Sequence, residues 1–551
     1  MTRRPFLFVL VLIGLSVDTV PKQSLRAAEP PTTYSVGAAQ VEITPSYPVR
    51  LSGFGFRRIE SEGVTQAIWV RALAISPADG SDPAILITTD NLGIPAYMHD
   101  ELARRLAAKA GVKRERLTIT ATHTHTAPML RSVAPTLFGQ PIPPEHQQHI
   151  DQYTRELTDR LEEVSLAALK DRRPSRLTWG VGTVSFAINR RTKGGPVDHD
   201  LPLLAVRDLD GKLRAIHFTY ACHCVTLSNN KISGDWAGYA VDLVQRDFPE
   251  VIALCSVGCG ADSNPSSGVT GDKVDVAMKQ GAEVAAEVKR LVNGFLTPVT
   301  GTLMARRETI TLEFAAHPSR EQWEERAKKT DAVGYHARVQ LERLDRGEKL
   351  QEQIDYPVAS WTFGDSLAMV FLPGEVVVDY SLRLKRELDR SRLWVCAYAN
   401  DAPCYIPSER VLKEGGYEAT GAMIYYDRPG PFKEGLEQPI IETVRKQLEP
   451  AFSAKFNGAK TQGALPRSPQ QSLATLETTP NLRVELVVAE PLITDPVAID
   501  FRSDGGLWVA EMHDYPTGLD GNFQPGGRVR LVRDTNGDGT FDASTIFVEG
   551  I

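Results

Sequence analysis

Residues 84–125 constrain the fold more than any other stretch of the chain. They run AILITTDNLGI, an apolar strand ending in polar residues, then MHDELARRLAAKAG, an amphipathic helical pattern closed by Gly111, then LTITATHTH, a second run rich in β-branched residues. Strand, helix and strand in this order give an α/β domain, with chemistry expected at strand ends. Side chains alternate along a strand, so His123 and His125 would share one face, and Pro128 would stop the ladder. Two imidazoles on one face there fit the rim of a site. They fit a pair of ordinary surface histidines as well.

The alternation of strands and helices continues from residue 34 to about residue 455, with further helices over DQYTRELTDRLEEVSLAALK and DVAMKQGAEVAAEVKRLVN. The charged run 320–350 reads as a solvated helical excursion. From 456 to 478 the chain is rich in Pro, Gly, Ser, Thr and Gln and reads as a linker. Residues 479–551 are short strands between Gly and Asp turns, an all-β pattern. About seventy such residues make a poor independent core, so a truncated chain is expected. The 551 residues thus exceed one typical domain, and 42% hydrophobic with 24% charged residues describes a globular protein with a large core. A net charge of −7, with no Lys/Arg block after the first residues, argues against nucleic acid as a partner.

The N-terminus pairs a basic MTRR with the apolar PFLFVLVLIGLSV, too short to span a bilayer comfortably, and Ala27 and Ala28 offer a cleavage site. Residues 1–28 read as an export signal or an uncleaved anchor, either of which places the rest in the periplasm or outside the cell. Six cysteines then allow fifteen full pairings, among which sequence cannot choose. Cys222–His223–Cys224 and Cys255–x3–Cys259 also admit a metal reading, although zinc-finger sites usually show CxxC spacing.

Four more stretches carry candidate chemistry. YACHCVTLSNNKISGDWAGYA places His223 in a strand-like run before a helix opened by Ser233–Gly234–Asp235. In VFLPGEVVVDYSLRLKREL, Glu375 follows Pro–Gly at a helix start. YANDAPCYIPSERVLKEGGYEAT holds Tyr405 and Tyr417, and CSVGCGADSNP holds Asp262, Ser263 and Asn264. Each alone has an ordinary explanation: a packed histidine, a glutamate favoured by the helix dipole, packing tyrosines, a polar turn.

Together, over roughly residues 35–450, these stretches resemble the neutral (non-lysosomal) ceramidase family, zinc-dependent amidases that cleave the N-acyl bond of ceramide. The resemblance rests on VGAAQVEITP, ATHTHTAP, INR at 188–190, SGDWAGYA, LPGEVVVDYSLRLKREL and YEAT. It implies a fold of mixed β-sheets covered by helices, zinc held by His123, His223, Glu375 and Tyr405, and His125 beside the metal. Tyr417 and Arg190 become active-site residues, the substrate an N-acyl lipid or related amide, and peripheral membrane contact a route to it. Nitrogen and oxygen ligands of this kind suit zinc, which can make hydroxide available near neutral pH. Two departures stand out. The family's GDVSPN is GADSNP here, which leaves Ser263 open as nucleophile or hydrogen-bond donor, and no immunoglobulin-like domain follows.

The last segment resembles the first blade of propeller-type membrane-bound dehydrogenases. Its DTNGDGTFD places Asp534, Asn536, Asp538 and Asp542 as in the start of an EF-hand-like calcium loop, but lacks the closing Glu and the flanking helices. Calcium and a plain Asp/Gly turn are both open. One blade cannot close a propeller. The expected function is an exported zinc amidohydrolase; the alternatives are an accessory domain of a dehydrogenase and a non-catalytic binding protein.

Overall fold

The computed structural model describes residues 32–453, 468–473, 483–514 and 524–550. The predicted export segment 1–28 and most of the 456–478 linker lie outside the described residues. The chain divides into two units between residues 454 and 455.

The first unit is built on a nine-stranded sheet. Its order is Leu117–Ala121, Ala84–Thr89, Trp69–Pro77, Tyr34–Glu42, Arg173–Thr183, Asp200–Asp208, Leu213–Tyr220 and Ile252–Val257, with Thr297–Pro298 paired to Arg173–Thr183. Both edge pairs are parallel: Ile85 faces Leu117, and Ala215 faces Ile252. Each needs a crossover, supplied by the helices Ala96–Ala110 and Asp235–Asp247. Gly111 closes the first of these in the left-handed conformation, φ 66°, as the sequence predicts.

A second sheet, in the order Leu303–Glu313, Gln353–Phe363, Leu367–Phe371 and Leu393–Cys396, ends in a third parallel pair with the helix Val378–Glu387 as its crossover. The two sheets meet through Leu73, Leu86, Trp179 and Leu204 on one side and Trp361, Phe363, Met369 and Trp394 on the other. Burying each such side chain contributes about 1.5–3 kcal/mol, which is why the sheets are not independent. The charged run 320–350 is a pair of helices, Arg320–Ala327 and Ala332–Asp345, inserted between two strands of the second sheet. Trp323, Ala337 and Leu350 give it a small core of its own.

Three strand-end expectations change. The strand carrying the opening motif stops at Ala121, so His123 and His125 are not strand residues. Thr122 N–H still donates to the Thr89 carbonyl at 2.9 Å, and then His123 turns left-handed with φ 57°, ending the ladder. His223 likewise lies past its strand, which stops at Tyr220. Glu375 belongs to a two-residue bridge, Glu375–Val376, and the helix begins only at Val378.

All six cysteines are buried and free. No helix among the described residues is long and apolar enough to cross a membrane. The second unit holds four antiparallel strands in sequence order, Pro496–Phe501, Leu507–Glu511, Arg528–Arg533 and Ala543–Glu549, forming an open sheet over a small core of Ile493, Leu507, Val509, Val532 and Phe541. In its Asp-rich loop, Asp534 accepts from the backbone of Gly537 and Gly539, Asp542 from Thr535, and Asn536 and Asp538 from the next turn residues.

Candidate metal centre

Three histidines converge where parallel strands of the large sheet run out, each oriented by a backbone carbonyl. His123 Nδ1 lies 2.7 Å from the Leu92 oxygen, His125 Nδ1 lies 3.1 Å from that of Gly53, and His223 Nδ1 lies 2.9 Å from that of Gly260. A carbonyl only accepts, so each Nδ1 carries the proton and each Nε2 presents a lone pair. Those lone pairs meet. His123 Nε2 is 3.1 Å from His125 Nε2, and Glu375 Oε2 is 3.2 Å from His123 Nε2 and 3.1 Å from His223 Nε2. The ligand atoms of the three histidines lie within 4.8 Å of one another. Glu375 Oε2 is buried and has no hydrogen-bond donor among the described residues. Converging acceptors without a proton between them repel, and a cation resolves the conflict. The donor set fits a metal ion.

The glutamate arrives from the second sheet. Gly374, with φ 76°, turns the chain after its strand, and Glu375 pairs with Tyr405 in a short parallel bridge. The Tyr405 hydroxyl lies 3.4 Å from His223 Nε2 and accepts from Arg190 Nη2 at 3.1 Å. Tyr426 donates to Glu375 Oε1, and the Tyr398 ring stacks on His123 with centroids 4.3 Å apart. Burial pushes the His125 imidazole well below its usual value and that of His223 down to about 4. Burial alone would raise Glu375; His123 and His223, if protonated, would outweigh it and hold the carboxyl well below the usual range, the same pull that a cation at this point would exert. Burial, then Glu375, raises the Tyr405 phenol against the opposing Arg190.

A cleft of about 580 Å³ leads to these groups, lined by Phe54, His125, Arg190, Asn264, Tyr405 and Tyr417 among others. Tyr417 is 47% exposed at the mouth, its ring 5.5 Å from that of Tyr405. Glu418, buried beside it, pairs with Arg190 at 2.7 Å and Arg191 at 2.5 Å. Ser263 is fully buried with no hydrogen-bond partner for its hydroxyl among the described residues, so no base is poised on it; its carbonyl accepts from His223 N–H at 2.9 Å. Asp262 accepts from Asn189 and from Val378 N–H, tying the GADSNP turn to the INR strand and to the helix after Glu375.

The structure therefore gathers His123, His125, His223, Glu375, Tyr405, Arg190 and Tyr417 at one place, with Ser263 bonded through its carbonyl to the His223 backbone. Among the described residues, no cysteine joins the histidine group. Tyr398, Tyr426, Glu418 and the loop 52–57 are site features that the sequence motifs do not single out. Only Glu418 carries a readable signal, as the neighbour of Tyr417. In that loop Gly53 packs on His125, and buried Arg57 donates to the carbonyls of Ser52, His125 (2.7 Å) and Asn229 (2.8 Å).

Residues 34–295 match the sequence model of the neutral/alkaline non-lysosomal ceramidase N-terminal region. Residues 468–551 match that of a domain of unknown function, DUF7133, and the propeller-dehydrogenase resemblance finds no support there. Two solved structures share the fold. A ceramidase complexed with C2 is 16% identical, with a TM-score of 0.60, covering 94% of this chain and 90% of that one. The neutral ceramidase from Pseudomonas aeruginosa is 17% identical, with a TM-score of 0.59, covering 94% and 89%. At these identities the likeness establishes an α/β ceramidase-like fold.

Proposed function

We propose that the first unit is a zinc-dependent amidohydrolase that cleaves the N-acyl bond of a ceramide-like lipid or related amide, and that it works outside the cytoplasm. The observation that carries this reading is the set of three histidines, each with Nδ1 fixed on a carbonyl, whose Nε2 atoms converge, those of His123 and His223 on a buried carboxylate oxygen that has no donor among the described residues. This is the usual outer-shell arrangement of metal-binding imidazoles. The nitrogen and oxygen donors, with no thiolate among them, suit zinc.

In this reading His123, His223, Glu375 and Tyr405 hold the ion. A bound zinc ion would acidify water toward neutrality and polarise the amide carbonyl. His125, fixed on Gly53 and turned to the same centre, is placed to take a proton from the attacking water and return it to the leaving amine. Arg190 donates to the Tyr405 hydroxyl and is itself held by Glu418, so it keeps the phenol in place. Phe54, Val225 and Val269 give the cleft an apolar wall for an acyl chain, and Tyr417 stands at its entrance. Ser263, without a base, suits a hydrogen-bonding role better than a nucleophilic one. Export rests on the N-terminal basic and apolar sequence.

The test is metal analysis of the purified chain beside a hydrolysis panel of N-acyl amides, from ceramides of different acyl length to N-acyl amino acids. About one zinc per chain with release of fatty acid from at least one class is expected. A chain that retains no metal after reconstitution, or hydrolyses no amide in the panel, would refute the proposal.

A further inference from the structure

The run Ala397–Tyr398–Ala399–Asn400 follows the last strand of the second sheet, Leu393–Cys396. Ala397 N–H donates to the Val257 carbonyl at 3.0 Å, and Asn400 N–H to that of Ile119 at 2.8 Å, with Asn400 Oδ1 accepting from Ile119 N–H at 2.9 Å. Val257 and Ile119 belong to the two opposite edge strands of the large sheet. The run thus spans the gap between those edges. Tyr398 N–H donates to the Gly374 carbonyl at 3.1 Å, one residue before Glu375, and its own carbonyl accepts from Ala121 N–H at 3.2 Å, two residues before His123.

Tyr398 therefore ties by its backbone the two segments that deliver His123 and Glu375, and its side chain covers His123. The rings stack at 4.3 Å with 30° between planes, and His223 meets the same phenol edge-on at 6.4 Å. His123 is thereby fixed along its edge by the Leu92 carbonyl and on its face by an aromatic plane. The backbone is unusual here: Tyr398 has φ 53° and His123 φ 57°, a conformation that side chains with a Cβ seldom adopt. Such strain persists only where surrounding contacts impose it, and it concentrates at functional sites. The Tyr398 hydroxyl is buried with no hydrogen-bond partner among the described residues, so hydrogen bonding does not explain a tyrosine at this position. The ring does.

We infer that Tyr398 is a positioning residue of the metal centre: its stacked ring sets the plane of His123 and, with its backbone, the spacing between His123 and Glu375. This inference rests on the metal-binding reading above. Supporting partners of ligating imidazoles are typically worth about 10–100-fold in metal affinity, which sets the expected effect.

The experiment measures cobalt(II) affinity of the full chain by competition with a chelator, together with the visible absorption of the bound cobalt, for wild type, Tyr398→Phe, Tyr398→Leu and Tyr398→Asn. Asparagine tolerates the left-handed backbone, so it removes the ring while relieving strain and remains informative if the leucine variant does not fold. Metal-free circular dichroism reports folding. The phenylalanine variant should bind within about threefold of wild type with an unchanged spectrum, while folded leucine and asparagine variants should lose about 10–100-fold and show shifted cobalt bands. Wild-type affinity and spectrum in the leucine and asparagine variants would overturn the inference and leave the metal reading standing. An equal loss in the phenylalanine variant would also overturn it, since the hydroxyl and not the ring would be responsible. No cobalt uptake by wild type would overturn the metal reading and the inference together.

Discussion

His217 makes the stability of the first unit depend on pH in a way that can be calculated. It lies on the strand Leu213–Tyr220, fully buried between the two sheets, stacked on Trp394 at 4.7 Å with 13° between planes. Its Nε2 is 2.8 Å from Ser256 Oγ, which is 2.8 Å from Thr120 Oγ1, and its Nδ1 is buried without a partner among the described residues. A proton added at Nδ1 would leave a charged donor with nothing to receive it, and burial alone pushes the imidazole down to about 3. An unfolded histidine titrates near 6.5. Below that value the unfolded chain takes up a proton that the folded protein refuses. The stabilising contribution is thus whole above pH 6.5, falls as pH falls, and is lost in full only near pH 3. Linkage gives a loss of about 1.4 kcal/mol at pH 5.5 and about 2.7 kcal/mol at pH 4.5. The assay is urea unfolding of metal-free protein, followed by tryptophan fluorescence, at pH 7.5 and 5.5 for wild type and His217→Gln. Glutamine can still donate to Ser256 but does not titrate. Other buried histidines act equally in both proteins, so the variant should lose about 1.4 kcal/mol less between the two pH values. Equal losses would refute the reasoning.

Three further outcomes are expected. His125→Ala should retain metal and lose about 10²–10⁴-fold in turnover, the usual loss of a general base; if metal is lost as readily as in His123→Ala, the division of roles is wrong. Ser263→Ala should lose about 10²–10³-fold, as for a single oxyanion-stabilising donor, and remain measurable; an acyl-serine at Ser263 trapped by rapid quench and mass spectrometry would make it the nucleophile instead. In Gly53→Ala the added Cβ would lie 2.6–2.7 Å from three His125 atoms on a backbone with φ 87°, so His125 must shift. Turnover should then drop about 10²-fold, and activity within twofold of wild type would show that the loop yields freely.

Much of the fold and of the centre is legible in the amino-acid sequence. The strand–helix–strand period at 84–121 is a local signal, and the parallel pair with its helix follows from it. The site residues are legible only because several short motifs occur in one order; each motif alone supports nothing. Local rules misplace the reason for the histidine convergence. The threonines of LTITATHTH favour a strand, but Thr122 makes its last bond to Thr89 and His123 turns left-handed, a conformation that histidine adopts more often than most residues yet too rarely to be read from the sequence. The side chains meet because Leu92, Gly53 and Gly260 offer carbonyls at the right places. Those are tertiary contacts, as is the pairing of Glu375 with Tyr405. Tyr398 and Tyr426 are invisible in the sequence for the same reason: their importance lies in a ring stacked on His123 and a hydroxyl placed on Glu375.

The span between the two edges of the large sheet has a consequence for synthesis. The histidine loops emerge early, but the run that bridges Ile119 and Val257 comes near residue 400, and Tyr426, which holds Glu375, comes about 300 residues after His123. At about 5–20 residues per second, His123 waits on the order of 13–50 s for Glu375 and 15–60 s for Tyr426. Through that interval the two edge strands can meet only through side chains such as Thr120 and Ser256, and the backbone groups of Ile119 and Val257 stay open to another chain. The closing run therefore also covers those backbone groups, and the centre is completed only when Tyr405 and Tyr426 follow it.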